Sequence, residues 1–166
     1  GNLYAKGRGV KKNLKEAVRL FRKSADLDYP RGIYSVGIAY EKGLGVTRDY
    51  EEAFRWYNLA TTKGYSGAIY SLGRLYQRGL GTKQNYSQAI RLFRQASQKG
   101  HPRAPYEIGR MYETGNGVIK DKGEAIRWYR VAARRRHKGA RAKLKELSTN
   151  RAGKSRRSKR TRRSRQ

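Results

Sequence analysis

The chain has 166 residues, of which 36% are apolar and 11% aromatic, enough for a folded core, and it contains no cysteine. That excludes disulfides, thiolate metal sites and thiol nucleophiles, and no stretch approaches the roughly 20 apolar residues that a membrane-spanning helix needs. With 41 lysines and arginines against 12 acids the formal charge is +29, a field that favours anionic partners such as nucleic acid, ribosomes, acidic protein faces or anionic polymers and speaks to association rather than fold.

From the first residue a unit of 36 repeats without insertion: Gly1, Gly37, Gly73 and Gly109 align, then Tyr4, Tyr40, Tyr76 and Tyr112. Further along come Ala17, Ala53, Ala89 and Ala125, then Phe21, Tyr57, Phe93 and Tyr129. A fixed period of this length marks a stacked repeat architecture, in which each unit buries its apolar face only against its neighbours. Gly1 aligns with the middle of a first helix, so the rest of that helix is expected to precede this chain. Leu14 to Leu27 reads as the second helix of that unit. In the next unit Ile33, Val36, Gly37 and Tyr40 share one helical face, and Ala53, Trp56, Tyr57 and Ala60 share another, which gives two helices per repeat.

The loop between them, YEKGLGV at Tyr40 to Val46, carries two glycines of a phosphate-binding turn. The third glycine of the dinucleotide fingerprint is replaced by Asp49, and no strand-like run precedes the loop. The same signature recurs as LYAKGRGV, LYQRGLGT and MYETGNGV, so the glycines are architectural. Gly7, Gly43, Gly79 and Gly115 close a first helix in the left-handed conformation, and Gly9, Gly45, Gly81 and Gly117 complete the turn. Gly37, Gly73 and Gly109 lie inside a helix, where close approach of the partner helix over Ala53 or Ala89 is expected to offset their cost. Asn13, Asp49, Asn85 and Asp121, each followed three residues later by Glu16, Glu52, Gln88 or Glu124, predict a capping box at every second helix. Asn85 also fits a glycosylation pattern, but capping is the stronger reading. Pro30 and Pro102 mark the start of a first helix, with Pro105 still inside the first turn. The segment 138–150 reads as a capping helix through Ala140, Leu144 and Leu147, with Lys145 and Ser148 at the glycine and tyrosine positions. Residues 151–166 hold no apolar side chain larger than Ala152 and are expected to form a disordered basic tail.

Chemical candidates are few. His101 and His137 are 36 apart and occupy equivalent junctions before the next helix, with no cysteine or carboxylate pattern around them for a metal. No nucleophile, base and orienting group stand at a recognisable spacing, and no cofactor is implied. Arg19, Arg55, Arg91 and Arg127, reinforced by Arg22, Arg94 and Arg130, form a basic ladder on the second helices, expected at roughly 10 Å steps. Tyr34, Tyr70 and Tyr106, with Arg74, Gln77, Arg110 and Glu113, are candidates for lining a partner-binding groove on the first helices. The tail presents Lys154, Arg156, Arg157, Lys159, Arg160, Arg162, Arg163 and Arg165 among its cations. It has no aromatic to stack on bases, so nucleic-acid binding there would be electrostatic.

The unit A-x-Y-x-L-G-x-x-Y-x-x-G-x-G-V with A-x-x-W-Y-x-x-A and a closing K-G-[YH] resembles the Sel1-like repeat, a relative of the tetratricopeptide repeat with a longer inter-helix loop. The resemblance covers residues 1–137 as four registers, the first truncated at its start. It implies an all-α, right-handed α/α superhelical solenoid with a concave groove that serves as a non-catalytic adaptor or scaffold for another protein, and the basic charge points to an acidic one. The branch of secreted members with paired cysteines does not fit a chain without cysteine. The alternative is a nucleic-acid or ribosome-associated protein using the ladder and tail. Oligomeric state and compartment are not readable here.

Overall fold

The structure is a computed structural model that describes residues 1–7, 9 and 11–148. The expected disordered basic tail, residues 151–166 with its cations from Lys154 to Arg165, and the last two residues of the expected cap lie outside the described residues. The helices in chain order are α1 (Asn2–Lys6), α2 (Leu14–Asp26), α3 (Pro30–Lys42), α4 (Tyr50–Thr62), α5 (Ser66–Arg78), α6 (Tyr86–Gln98), α7 (Ala104–Thr114) and α8 (Lys122–Arg134). A further helix, α9, runs over 138–148. The described residues contain no strand, and the fold is an all-α solenoid of helical repeats. It groups into two compact units that meet in sequence at His101 and Pro102, the end of a repeat.

Each second helix starts on a side-chain cap. Oδ1 of Asn13, Asp49, Asn85 and Asp121 accepts from the amide three residues on, at 3.0, 3.0, 2.9 and 3.0 Å. The returning half of the expected capping box is absent from all four starts. The cap residue's own amide donates instead to the carbonyl of Tyr4, Tyr40, Tyr76 or Tyr112, at 3.1, 3.0, 2.9 and 2.9 Å. That bond fastens the loop to the first helix and leaves the side chain at the third helical position available for other work.

The turn itself depends on its second glycine as much as its first. Gly43 and Gly79 end their helices at φ 66°, whereas Gly45 and Gly81 sit against the preceding repeat. A Cβ on Gly45 would lie 2.3 Å from the Leu14 carbonyl oxygen, and one on Gly81 2.1 Å from that of Tyr50. The loop of one repeat therefore touches the start of the previous second helix, backbone on backbone.

Within unit 1, α3 packs on α2 and α4, and α5 on α4 and α6. The buried side chains include Ile33, Val36, Ala53, Tyr57, Ala60, Ile69, Leu72, Leu75, Ala89, Phe93 and Ala96. The helical glycines face rings rather than the alanines expected opposite them. A Cβ on Gly37 would meet the Tyr57 ring at 2.6 Å, on Gly73 the Phe93 ring at 2.8 Å and on Gly109 the Tyr129 ring at 2.8 Å. Helical side chains lean toward the N-terminus, so a ring covers the turn before its own Cα, which is the turn holding Ala53 or Ala89. In unit 2, α7 packs on α8, and Ala125, Tyr129, Ala132 and Ala140 form a core against which Leu144 and Leu147 of α9 lie. Pro30 opens α3 as expected, but α7 begins at Ala104, two residues after Pro102. Had the helix begun at Pro102, Pro105 would have stood where the first intrahelical amide donor is needed.

Candidate interaction surfaces

The three tyrosines expected on the first-helix face are engaged in packing at repeat junctions. Tyr34 lies 5.5 Å from the Tyr57 ring and 4.9 Å from Tyr65. Tyr70 stacks on His101 at 4.2 Å with 20° between planes, and Tyr106 stacks on His137 at 4.2 Å and 22°. Tyr65, His101 and His137 are equivalent positions in successive repeats, so the two histidines, read from sequence as plain junction residues, are ring partners in a recurring contact. Tyr34 and Tyr106 are half-buried and Tyr70 buried. Burial pushes the Tyr34 phenol above its ordinary value despite a Ser71 hydroxyl 3.4 Å away.

Beside them each unit holds a polar group of its own, supported from below by a tyrosine. Tyr57 donates from its hydroxyl to Glu41 at 2.5 Å, and Glu41 reaches Arg74 of the next repeat at 3.7 Å. In unit 2 Tyr129 donates to Glu113, which Lys143 of α9 approaches at 3.0 Å. Arg110 lies 3.5 Å from Glu107 on the same helix. Burial and the adjacent carboxylate both push the Tyr57 and Tyr129 phenols up. For Glu113, burial acts upward, but the hydrogen bonds from Tyr129 and Lys143 and the nearby cations outweigh it and hold the carboxyl below its ordinary value. Gln77 is the equivalent of Glu41 and Glu113, and Phe93 the equivalent of Tyr57 and Tyr129. Where the ring has no hydroxyl, the residue 16 positions earlier has no carboxylate. That matched exchange is a signal the sequence held for this pair.

The second helices carry the arginine ladder at exposed positions, but its charge is locally offset. Arg19 pairs with Glu16 at 2.7 Å, Arg55 with Glu52 at 2.7 Å and Arg127 with Glu124 at 2.9 Å. The carboxylates are the same side chains that a capping box would have turned back to the cap. Arg91 instead donates from Nε to the neutral Gln88 Oε1 at 3.0 Å. Arg22 donates to the Tyr40 hydroxyl at 2.6 Å with its guanidinium over that ring. Arg94 and Arg130 occupy exposed positions on α6 and α8. Among the described residues no cluster of His, Asp or Glu could hold a metal ion, and no helix is long and apolar enough to cross a membrane.

The fold has close structural neighbours. A Sel1 repeat protein from Oxalobacter formigenes superposes with a TM-score of 0.83 at 34% identity over 86% of this chain and 58% of its own. A protective antigen of uropathogenic Escherichia coli strains that displays an SLR fold gives 0.79 and 32% over 86% of this chain and 30% of its own. The chain thus spans less than two thirds of either neighbour's length. Helicobacter pylori cysteine rich protein B shares the fold at 21% identity with a TM-score of 0.63, over 83% of this chain and 99% of its own. No curated protein matches the sequence. The Sel1 repeat family model matches residues 1–29, 30–65, 66–101 and 102–137 in succession. Each match after the first spans one whole helix pair with its double-glycine turn, and by that register the chain belongs to the Sel1 repeat family.

Proposed function

We propose that this chain is a non-catalytic adaptor that holds another, acidic protein against the first-helix face of its repeats. Sel1 repeats generally mediate protein–protein interaction, and the observation that carries the reading here is the polar set that each unit holds on its first helices, Glu41, Arg74 and Gln77 in unit 1 and Arg110 and Glu113 in unit 2. These side chains are half-buried or exposed, and buried Tyr57 and Tyr129 anchor the two glutamates from beneath. Side chains fixed in this way within each unit bind with little ordering cost. Tyr34, Tyr70 and Tyr106 support it as packing that fixes the helices rather than as free anchors. The basic surface, with +29 overall, raises encounter rates with an acidic partner.

A photo-crosslinker placed at Arg74 or Gln77 on α5 should capture one and the same protein in cells, while one placed at Lys11, on the loop before α2, should not. Equal capture from all three positions, or none from the first two, would contradict the reading. A nucleic-acid or ribosomal partner for the ladder and tail is the second reading, favoured by the net charge. It ranks lower because Glu16, Glu52 and Glu124 each offset a ladder arginine. Titration against duplex DNA, RNA and heparin separates the two. Tight binding with a steep salt slope, lost when residues 151–166 are removed, would favour nucleic acid.

A further inference from the structure

The third repeat carries a charge pattern that its neighbours do not. Residues 53–106 contain nine lysines and arginines and no aspartate or glutamate, so neither α5 nor α6 bears a carboxylate. Every other second helix brings a glutamate three residues before its ladder arginine. At this point α6 brings Gln88, whose amide oxygen accepts from Arg91 at 3.0 Å without cancelling its charge. Arg91 and Arg94, one turn apart and both exposed, border an open hollow that Ser87, Gln95 and Gln98 complete, with Ile90 as its apolar floor. This face points away from α5, against which α6 packs through Phe93 and its buried alanines.

The lining chemistry selects among anions. The Arg91 guanidinium, whose charge no carboxylate cancels, matches a carboxylate in the bidentate geometry that arginine favours, and the Arg94 charge one turn on adds to the field. The primary amides of Gln95 and Gln98 can both donate and accept, as a peptide backbone requires of a neighbour. No aromatic lines the hollow, so nucleic-acid bases would find nothing there to stack on. We propose that the exposed face of α6 is a docking surface for an extended acidic peptide segment of a partner protein, with a carboxylate on Arg91, the Arg94 charge beside it, and backbone groups on Gln95 and Gln98. The surface lies on a second helix and does not depend on the first-helix face, so either assignment can fail alone.

The test uses the full chain and a short fluorescein-labelled peptide of alternating glutamate and alanine, read by fluorescence anisotropy at constant salt. The double variant Arg91→Glu with Arg94→Glu should weaken binding by about tenfold or more. The equal charge change Lys11→Glu with Lys12→Glu should weaken it by less than about threefold, since it alters only the long-range field. Gln88→Glu supplies the carboxylate that the other repeats carry and keeps the helix cap, so it should fold normally and still weaken the peptide by about threefold or more. A single-stranded oligothymidylate of matched charge should lose no more affinity from the α6 variants than from the Lys11 and Lys12 variant. Wild-type affinity in Gln88→Glu, equal losses from the α6 and loop reversals, or a selective loss for the oligonucleotide would each overturn the proposal.

Discussion

At the junction between repeats a left-handed backbone is required at four equivalent positions, and only two of them are glycine. Asp28, Gly64, Gly100 and Arg136 have φ of 60°, 72°, 81° and 61°. A side chain in that region costs about 1 kcal/mol, and nothing lies within 4 Å of a Cβ built on Gly100, so Gly100→Ala isolates the backbone term and should lose about 1 kcal/mol. Gly81→Ala combines φ of 64° with a Cβ 2.1 Å from the Tyr50 oxygen and should lose about 3 kcal/mol or more. Arg136→Gly relieves strain at some entropic cost and should gain up to about 1 kcal/mol. Urea midpoints should rank Arg136→Gly above wild type, then Gly100→Ala, then Gly81→Ala; another order would contradict the turn geometry. A second prediction concerns Glu113. Its carboxyl is held below the ordinary value of 4.5, so its contribution is fully present above that value and is lost as pH falls through the lower folded one. The stability gap between wild type and Glu113→Gln should therefore narrow as the pH drops below about 4.5, measured by urea unfolding at each pH. Tyr129→Phe combined with Glu113→Gln copies the Phe93 and Gln77 pairing of the third repeat, and should cost less than the two single losses of about 1 kcal/mol added together.

At the scale of the helix, what could be read from sequence was what is local. Asn85 and Gln88 stand three residues apart, so the cap could be placed without knowing the fold. Asn85→Ala should cost about 1 kcal/mol, whereas Gln88→Ala should cost much less, because its side chain turns to Arg91 rather than back to the cap amide. Thermal melts of the two variants decide between this arrangement and a closed capping box, which would make them comparable. The amide of Asn85 goes to the Tyr76 carbonyl, nine residues earlier, and only the folded turn brings those groups together. The same division explains the candidate surfaces. That Arg19, Arg55, Arg91 and Arg127 are exposed follows from their period, but a glutamate that fits a cap equally fits an arginine one turn on, and sequence does not choose. Tyr34, Tyr70 and Tyr106 recur at helical spacing whether they pack or bind, and their ring contacts with Tyr65, His101 and His137, tilted at the first and stacked at the two histidines, depend on how the end of a repeat turns back on its first helix. The glycine period showed that helices come close at Gly37, Gly73 and Gly109, yet which side chain fills the gap depended on the lean of the rings over the preceding turn.

Across the whole molecule the dominant fact is an imbalance of 41 cations against 12 anions. Like charges confined to a folded chain repel more than they do in the expanded chain, so the imbalance opposes folding. The ion pairs that could offset it are mostly exposed, as at Arg55, whose side chain is 70% accessible, and Arg127, at 77%, and such pairs contribute at most about 1 kcal/mol each. Salt weakens both terms, but repulsion among many cations acts over longer distances than a contact pair and is screened first, the Debye length falling from roughly 30 Å at 0.01 M to about 10 Å at 0.1 M. Stability should consequently rise with sodium chloride over that range, by several degrees of melting temperature for a chain of this size. Acid sharpens the contrast. Protonating the carboxylates leaves the 41 lysine and arginine charges without any anionic neighbour and dissolves the ladder pairs, so the rise of melting temperature with salt should be steeper at pH 3 than at pH 7. Melting temperatures that fall as salt is added at pH 7 would mean that the pairs at Glu16, Glu52, Glu113 and Glu124 outweigh the net repulsion, and that the basic surface is locally neutralised rather than held ready for an acidic partner.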